Sequence, residues 1–163
     1  MADESAEFRR GVRLGIDWGA ARVGVAACDA DGLLAYPVET VPARDQRAAL
    51  ARVVALVEQY EPLEIVLGLP LALNGRAATA AVTVQAVAEQ LAVRVEAPVR
   101  LVDERLTTAQ ADRDLGHLDT RARRVVIDQA AAVGILEGAL DHERHTGTPP
   151  GQRLMSPWTE GRK

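Results

Sequence analysis

Three carboxylates stand far apart in this chain in settings where a carboxylate could do chemistry: Asp17, Glu104 and Asp128. Carboxylate oxygens are hard donors suited to a divalent cation that keeps waters and binds a phosphate. Asp17 lies inside Gly15-Ile16-Asp17-Trp18-Gly19. Alternate strand residues share a face, so Leu14, Ile16 and Trp18 should take one face and Gly15, Asp17 and Gly19 the other. If Gly24 and Ala26 of the next strand join that second face, Asp17 stands on an open floor of small residues that a ligand could approach. Equally, an Asp there could end a strand and bond turn amides. Glu104 follows Val102 at the carboxyl end of a predicted parallel strand, the edge where open α/β sheets place ligands. Asp103 should face the other way, and an ordinary strand-end pair, with Arg105 as ion-pair partner, is the alternative. Asp128 interrupts an apolar helical stripe of Val125, Ala132, Ile135 and Ala139. A carboxylate buried in such a stripe must be paired or metal-bound, so a salt bridge to Arg22 or Arg105 competes with metal ligation.

Other chemically capable residues form weaker constellations. His142 and His145 near a helix end suit the negative end of the helix dipole, and His117 is isolated. Cys28 has no His at an informative spacing and reads as a small buried hydrophobe. Neither a G-x-x-x-x-G-K-[ST] nor a G-x-G-x-x-G sequence is present, so P-loop and Rossmann readings lack support. Arg121, Arg123 and Arg124 could meet phosphates or form a solvated charged face.

The elements that must position these acids follow from periodicity and turn residues. Strands are expected at 13–18, 22–28 and 33–40, joined through Ala20-Ala21 and Asp31-Gly32. Leu50, Val53, Val54 and Val57 predict a helix over 44–60. Ile65-Val66-Leu67 reads as a buried parallel strand, Val84 to Leu91 as a helix, and Val99 to Val102 as a further strand. Thr107 or Thr108 could cap a short helix through Leu115, and a last helix runs over about 123–142. The order β-β-β-α-β-α-β-α-α implies a five-stranded mixed sheet, three antiparallel strands then two parallel, flanked by helices. Residues 1–10 and 146–163 read as flexible tails around one domain at 11–145.

Composition bounds the function. One domain with a real core suits 163 residues. Aromatics are 3%, so the core is aliphatic and stacking platforms for single strands are scarce. The net charge of −4 argues mildly against a dedicated nucleic-acid binder, yet almost every cation is Arg, with Lys163 the only lysine. Arginine suits phosphate forks, so a locally basic surface remains open. The polar start lacks a signal-peptide pattern, no apolar run is long enough for a membrane span, and a single cysteine permits no internal disulfide. A cytoplasmic setting is the expectation.

Four blocks in order, from Leu14 to Leu140, carry a resemblance. They are Gly-Ile-Asp-x-Gly-x-x-Arg-Val-Gly-Val-Ala from Gly15, Gly-Leu-Pro-Leu from Gly68 with Asn74-Gly75 after it, Asp-Glu-Arg-Leu-Thr-Thr from Asp103, and Asp-Gln-Ala-Ala-Ala from Asp128. The chain resembles the YqgF/RuvX-like family. The first block is shared with sugar-kinase and actin-like ATPases; the third block and the full ordering are far more specific. The resemblance implies a ribonuclease H-like fold and a metal-dependent endonuclease, acting in maturation of the 5′ end of pre-16S rRNA or as a Holliday junction resolvase on branched DNA. It implies Asp17, Glu104 and Asp128 as catalytic acids and ligands of Mg²⁺ or Mn²⁺, and it matches Arg22 to a basic position after the first acid. Arg22, Arg105 and Thr107 are the expected substrate contacts. The partner would be nucleic acid, with no membrane, and a homodimer is compatible. Arg76-Ala77-Ala78, where a glycine is common in the family, and the bulky Trp18 depart from its pattern and bear on substrate approach. Two readings of other classes stay open: an ATP-binding domain of the actin/kinase type, and a non-catalytic nucleic-acid-binding factor.

Overall fold

The computed structural model describes residues 8–70, 75–104 and 120–157, and their side chains except those of 76–77 and 120–128. Nine elements lie within them: β1 (Arg13–Trp18), β2 (Arg22–Cys28), β3 (Ala35–Pro42), α1 (Gln46–Tyr60), β4 (Glu64–Leu69), α2 (Gly75–Arg94), β5 (Val99–Asp103), α3 (Thr120–Thr146) and β6 (Gln152–Arg153). One sheet runs in the order β3-β2-β1-β4-β5-β6. β1, β2 and β3 pair antiparallel, β1 pairs with β4 and β4 with β5 in parallel, and β6 returns antiparallel to β5. The expected meander followed by parallel strands is present.

Alternation along the strands sorts the core into two layers. Leu14, Ile16, Trp18, Val23, Val25, Ile65, Leu67, Val99 and Leu101 pack with the buried stripes of α1 and α2, such as Leu50, Val53, Val87 and Leu91. On the other face Ala26 and Cys28 meet Ala132, Leu136 and Leu140 of α3, while Val66 and Val102 meet Ile135 and Ala139. Each fully buried Leu or Ile contributes about 1.5–3 kcal/mol relative to exposure, so both layers hold the sheet firmly. The small residues expected to leave a floor open instead admit α3. A Cβ on Gly15 would sit 2.8 Å from Leu136 Cβ and 2.9 Å from the Ala132 carbonyl oxygen, and one on Gly68 would sit 2.5 Å from Ile135 Cδ1. The helix backbone approaches closely because these positions carry no side chain.

Element boundaries differ from the sequence reading for identifiable reasons. β3 starts at Ala35 rather than Leu33, because the Asp29 carboxylate accepts hydrogen bonds from the Leu33 and Leu34 amides and holds both residues in a turn. Those amide bonds, chiefly that from Leu34, hold the Asp29 carboxyl below its ordinary range. α1 starts after Asp45, whose side chain caps the Arg47 and Ala48 amides. α2 begins at Gly75, well before Val84; its opening turns are Ala- and Thr-rich and carry helix propensity without an apolar stripe. The sheet has six strands rather than five. The sixth comes from the expected C-terminal tail, where Leu154 N–H bonds the Val99 carbonyl (2.9 Å) and Arg100 and Leu101 pair with Arg153 and Gln152. The short helix expected after Thr107 falls outside the described residues.

The amino ends of the parallel strands hold a buried ionic cluster. Arg13, Glu64 and Glu143 are each 2% exposed or less. Arg9 donates to Glu143 through its backbone amide (2.9 Å) and guanidinium (2.6 Å), and to Glu64 (2.8 Å). Arg13 Nη2 donates to Glu143 (3.0 Å), and Arg100 Nε to Glu64 (2.7 Å). Arg9 therefore belongs to the fold, not to a free tail, and Phe8 stacks under the Arg13 and Arg144 guanidiniums.

Candidate active site

The carboxyl ends of β1, β4 and β5 form one edge of the sheet, and two of the expected acids stand there. Asp17 is the penultimate residue of β1, and Glu104 directly follows β5. Both belong to the face covered by α3. Asp17 alternates with Leu14, Ile16 and Trp18, which belong to the opposite layer. Glu104 is two residues beyond Val102, which packs on Ile135 and Ala139. A Cβ on Gly68 would come 3.7 Å from Glu104 Cβ, so the second acid stands beside the glycine of β4 on which Ile135 of α3 packs. With strands ~4.8 Å apart and β4 between them, the two acids root roughly 10 Å apart, a gap that two carboxylates and cations at metal–oxygen distances of ~2.1 Å can span. Both acids are half-buried. Asp103 belongs to the other face, as alternation required.

α3 brings the third position to the same edge. Glu143, in its last turns, bonds Arg13 at the amino end of β1 and is linked through Arg9 to Glu64 at the amino end of β4. Ala132 and Leu136 overlie Gly15 in mid-strand. The helix therefore runs antiparallel to β1, and position 128, one turn before Ala132, lies toward the carboxyl edge that holds Asp17 and Glu104. The side chain of Asp128 falls outside the described set. Among the described residues no group of three or more His, Cys, Asp or Glu gathers around a cation position; Asp17 and Glu104 are the described site acids on the α3 face of this edge, with Asp103 on the other face.

The remaining expected site residues distribute as follows. Arg22 opens β2 opposite Pro42, half-buried at the same end of the sheet. Arg105 and Thr107 lie outside the described residues. Trp18 points into the α1/α2 layer and is 7% exposed. Its exposed edge borders a cleft of about 660 Å³ lined by Gly19, Ala20, Gly75, Thr79 and Thr83. Cys28 is buried and accepts a hydrogen bond from the Arg13 amide (3.3 Å). Burial pushes its thiol above the ordinary range, which keeps it unreactive. His145 Nδ1 lies 2.8 Å from the Asp141 carbonyl in the last turn of α3, the dipole-compatible end. The ionic cluster was not anticipated, although its signal was present: Glu143 continues the stripe of Ala132, Ile135 and Ala139 just as Asp128 begins it.

A *Streptomyces avermitilis* protein named "Putative pre-16S rRNA nuclease" is 55% identical over 148 residues, covering 89% of this chain and 95% of its own. A *Mycolicibacterium smegmatis* protein of the same name is 54% identical over 142 residues, covering 83% of each chain. Among solved structures, *T. thermophilus* RuvC in complex with Holliday junction substrate superposes with a TM-score of 0.57 at 17% identity, over 85% of this chain and 98% of that one, a likeness of fold. The sheet order and the helix across it are thus those of a RuvC-like, ribonuclease H-like α/β fold. The family model for RuvX, described as Holliday junction resolvase, matches residues 11–142, and the chain belongs to that family.

Proposed function

We propose that this protein is a divalent-metal-dependent endonuclease that hydrolyses phosphodiester bonds in maturation of the 5′ end of pre-16S rRNA, in the cytoplasm. The observation that carries the reading is the placement of Asp17 and Glu104 on one sheet face, at one edge, toward which α3 carries position 128. The donor set fits Mg²⁺ or Mn²⁺, since it is all carboxylate and its described members, Asp17 and Glu104, are half-buried at the sheet edge. Asp17, Glu104 and Asp128 are the residues that would hold the metal. A divalent ion held there would supply Lewis acidity for activating water and for offsetting charge on the leaving oxygen. Water adds to phosphorus, one P–O ester bond breaks, and the departing oxygen takes up a proton. Arg22, Arg105 and Thr107 hold and orient the phosphate, the guanidiniums by paired hydrogen bonds. The names of these two relatives favour the rRNA substrate.

The family description favours a second reading, cleavage of branched DNA. Side-by-side assays of precursor 16S rRNA and a four-way DNA junction, each with Mg²⁺ and Mn²⁺, separate the two. The rRNA reading predicts metal-dependent cleavage of the precursor and little of the junction; preferential cleavage of the junction would reverse the assignment. Absence of cleavage of either substrate, together with tight binding, would favour a non-catalytic factor.

A further inference from the structure

We propose that Glu143 is a positioning residue: anchored by Arg9 and Arg13, it sets the axial register of α3 and thereby the place of position 128 in the candidate metal site. This rests on the metal-site reading above. Hydrophobic burial between α3 and the sheet is non-directional. The sheet surface beneath α3 sets the small residues Gly15, Ala26 and Gly68 beside Val66 and Val102, and the helix presents Ala132, Ile135 and Leu136 to it. Directional contacts at the far end add a defined axial height to that close packing. The Glu143 carboxylate accepts four hydrogen bonds: from the Arg9 amide (2.9 Å), Arg9 Nε (3.2 Å), Arg9 Nη2 (2.6 Å) and Arg13 Nη2 (3.0 Å).

The donors are themselves fixed. Arg13 Nη1 donates to the Gly11 carbonyl (2.9 Å), Arg13 Nη2 to the Arg9 carbonyl (2.7 Å), and Arg9 Nη2 also to Glu64 (2.8 Å). Glu64 is held in turn by Arg100 from β5 (2.7 Å). The cluster thus ties α3 to the amino ends of β1, β4 and β5 at one axial height. Buried ion pairs rarely exceed well-packed apolar residues in net stability, so a gain in stability alone does not account for this arrangement. Geometry does. A one-residue slip of α3 moves every side chain on it by ~1.5 Å and rotates it by ~100°, whereas a metal constellation tolerates about 0.5 Å. Between position 143 and position 128 lie some four turns of continuous helix, about 22 Å, that transmit the register.

The test uses the full-length protein carrying E143Q and, in a second variant, R13M with E143L. The apolar pair refills the site without the directional bonds, and so keeps the fold where E143Q alone unfolds it. Two readouts are taken at a temperature where circular dichroism shows each variant folded. Calorimetric titration with Mn²⁺ reads the site. Spin labels at E137C and R47C, both exposed positions, read the placement of α3 without metal. The expected result is a shifted or broadened label distance with Mn²⁺ binding weakened at least tenfold. An unmoved distance in folded variants overturns the proposal, as does a moved distance with wild-type Mn²⁺ affinity. If the wild-type protein itself binds no Mn²⁺, the metal-site reading fails, and the register claim is then decided by the distance measurement alone.

Discussion

At the residue scale, the account depends on acids whose surroundings differ sharply. Asp17 and Glu104 are half-buried at an open edge, whereas Glu143 is closed off and satisfied by two arginines. Asp17→Asn and Asp128→Asn each remove a ligand charge while keeping the shape. Each should lower metal-dependent cleavage by about 10²–10³-fold, the scale for loss of one preorganised charge-stabilising group; single-turnover cleavage rates check this, and full activity in either variant contradicts it. Arg22, assigned to phosphate, makes a different prediction. Arg22→Ala should weaken nucleic-acid binding and flatten the log–log dependence of affinity on salt by about one, and titrations at several salt concentrations measure that slope.

Glu143 yields a pH prediction. Burial alone would raise its carboxyl pKa, but the hydrogen bonds from Arg9 and the charges of Arg13 and Arg9 outweigh burial and hold it below its ordinary value. A carboxyl depressed in the folded state stabilises the fold above its unfolded pKa, ~4.3 for Glu, and loses that contribution as pH falls through the folded value. The difference in melting temperature between wild type and E143Q should therefore shrink as the pH drops from 6 to ~3. A constant difference by scanning calorimetry would show that the charge of Glu143 does not supply it.

At the scale of elements, close packing of α3 on a glycine-paved sheet is the feature that builds the site. Gly15→Ala should destabilise by about 1–3 kcal/mol, because its methyl meets the Ala132 carbonyl and Leu136 Cβ, backbone-anchored atoms that cannot step aside. Gly68→Ala should cost less, since its nearest neighbour is the mobile Cδ1 end of Ile135. Urea denaturation of both variants checks the order of the two effects. Much of this layer was legible in the sequence. Strict alternation in β1, β2 and β5 assigned each side chain to its face, and the stripe in α3 assigned the helix its buried side. Three features were not legible. The Asp29 turn removed Leu33 and Leu34 from β3 through side-chain bonds that periodicity does not register. The opening of α2 has no apolar stripe to read. β6 is two residues long and exists only because β5 offers a free edge, a tertiary fact.

For the molecule as a whole, the fold collects at one sheet edge residues separated by most of the chain, and clamps the opposite edge with buried charge. The acidic total of −4 coexists with arginine-rich segments, and among the described residues no helix is long and apolar enough to cross a membrane. Of the candidate site, the sequence offered three acids, and two of them, Asp17 and Glu104, stand at the strand edge it named. It hinted at a buried Glu143 through the stripe of α3 but not at its partners, because ion pairing between residues as distant as Arg9 and Glu143 leaves no local pattern. The convergence of Asp17, Glu104 and Asp128 on metal is the central claim, and anomalous diffraction from crystals grown with Mn²⁺ tests it most directly. The account predicts an anomalous peak within coordination distance of all three carboxylates. A Mn²⁺-saturated crystal with no peak at the carboxyl edge of β1 and β5, or with the ion held elsewhere, would contradict it.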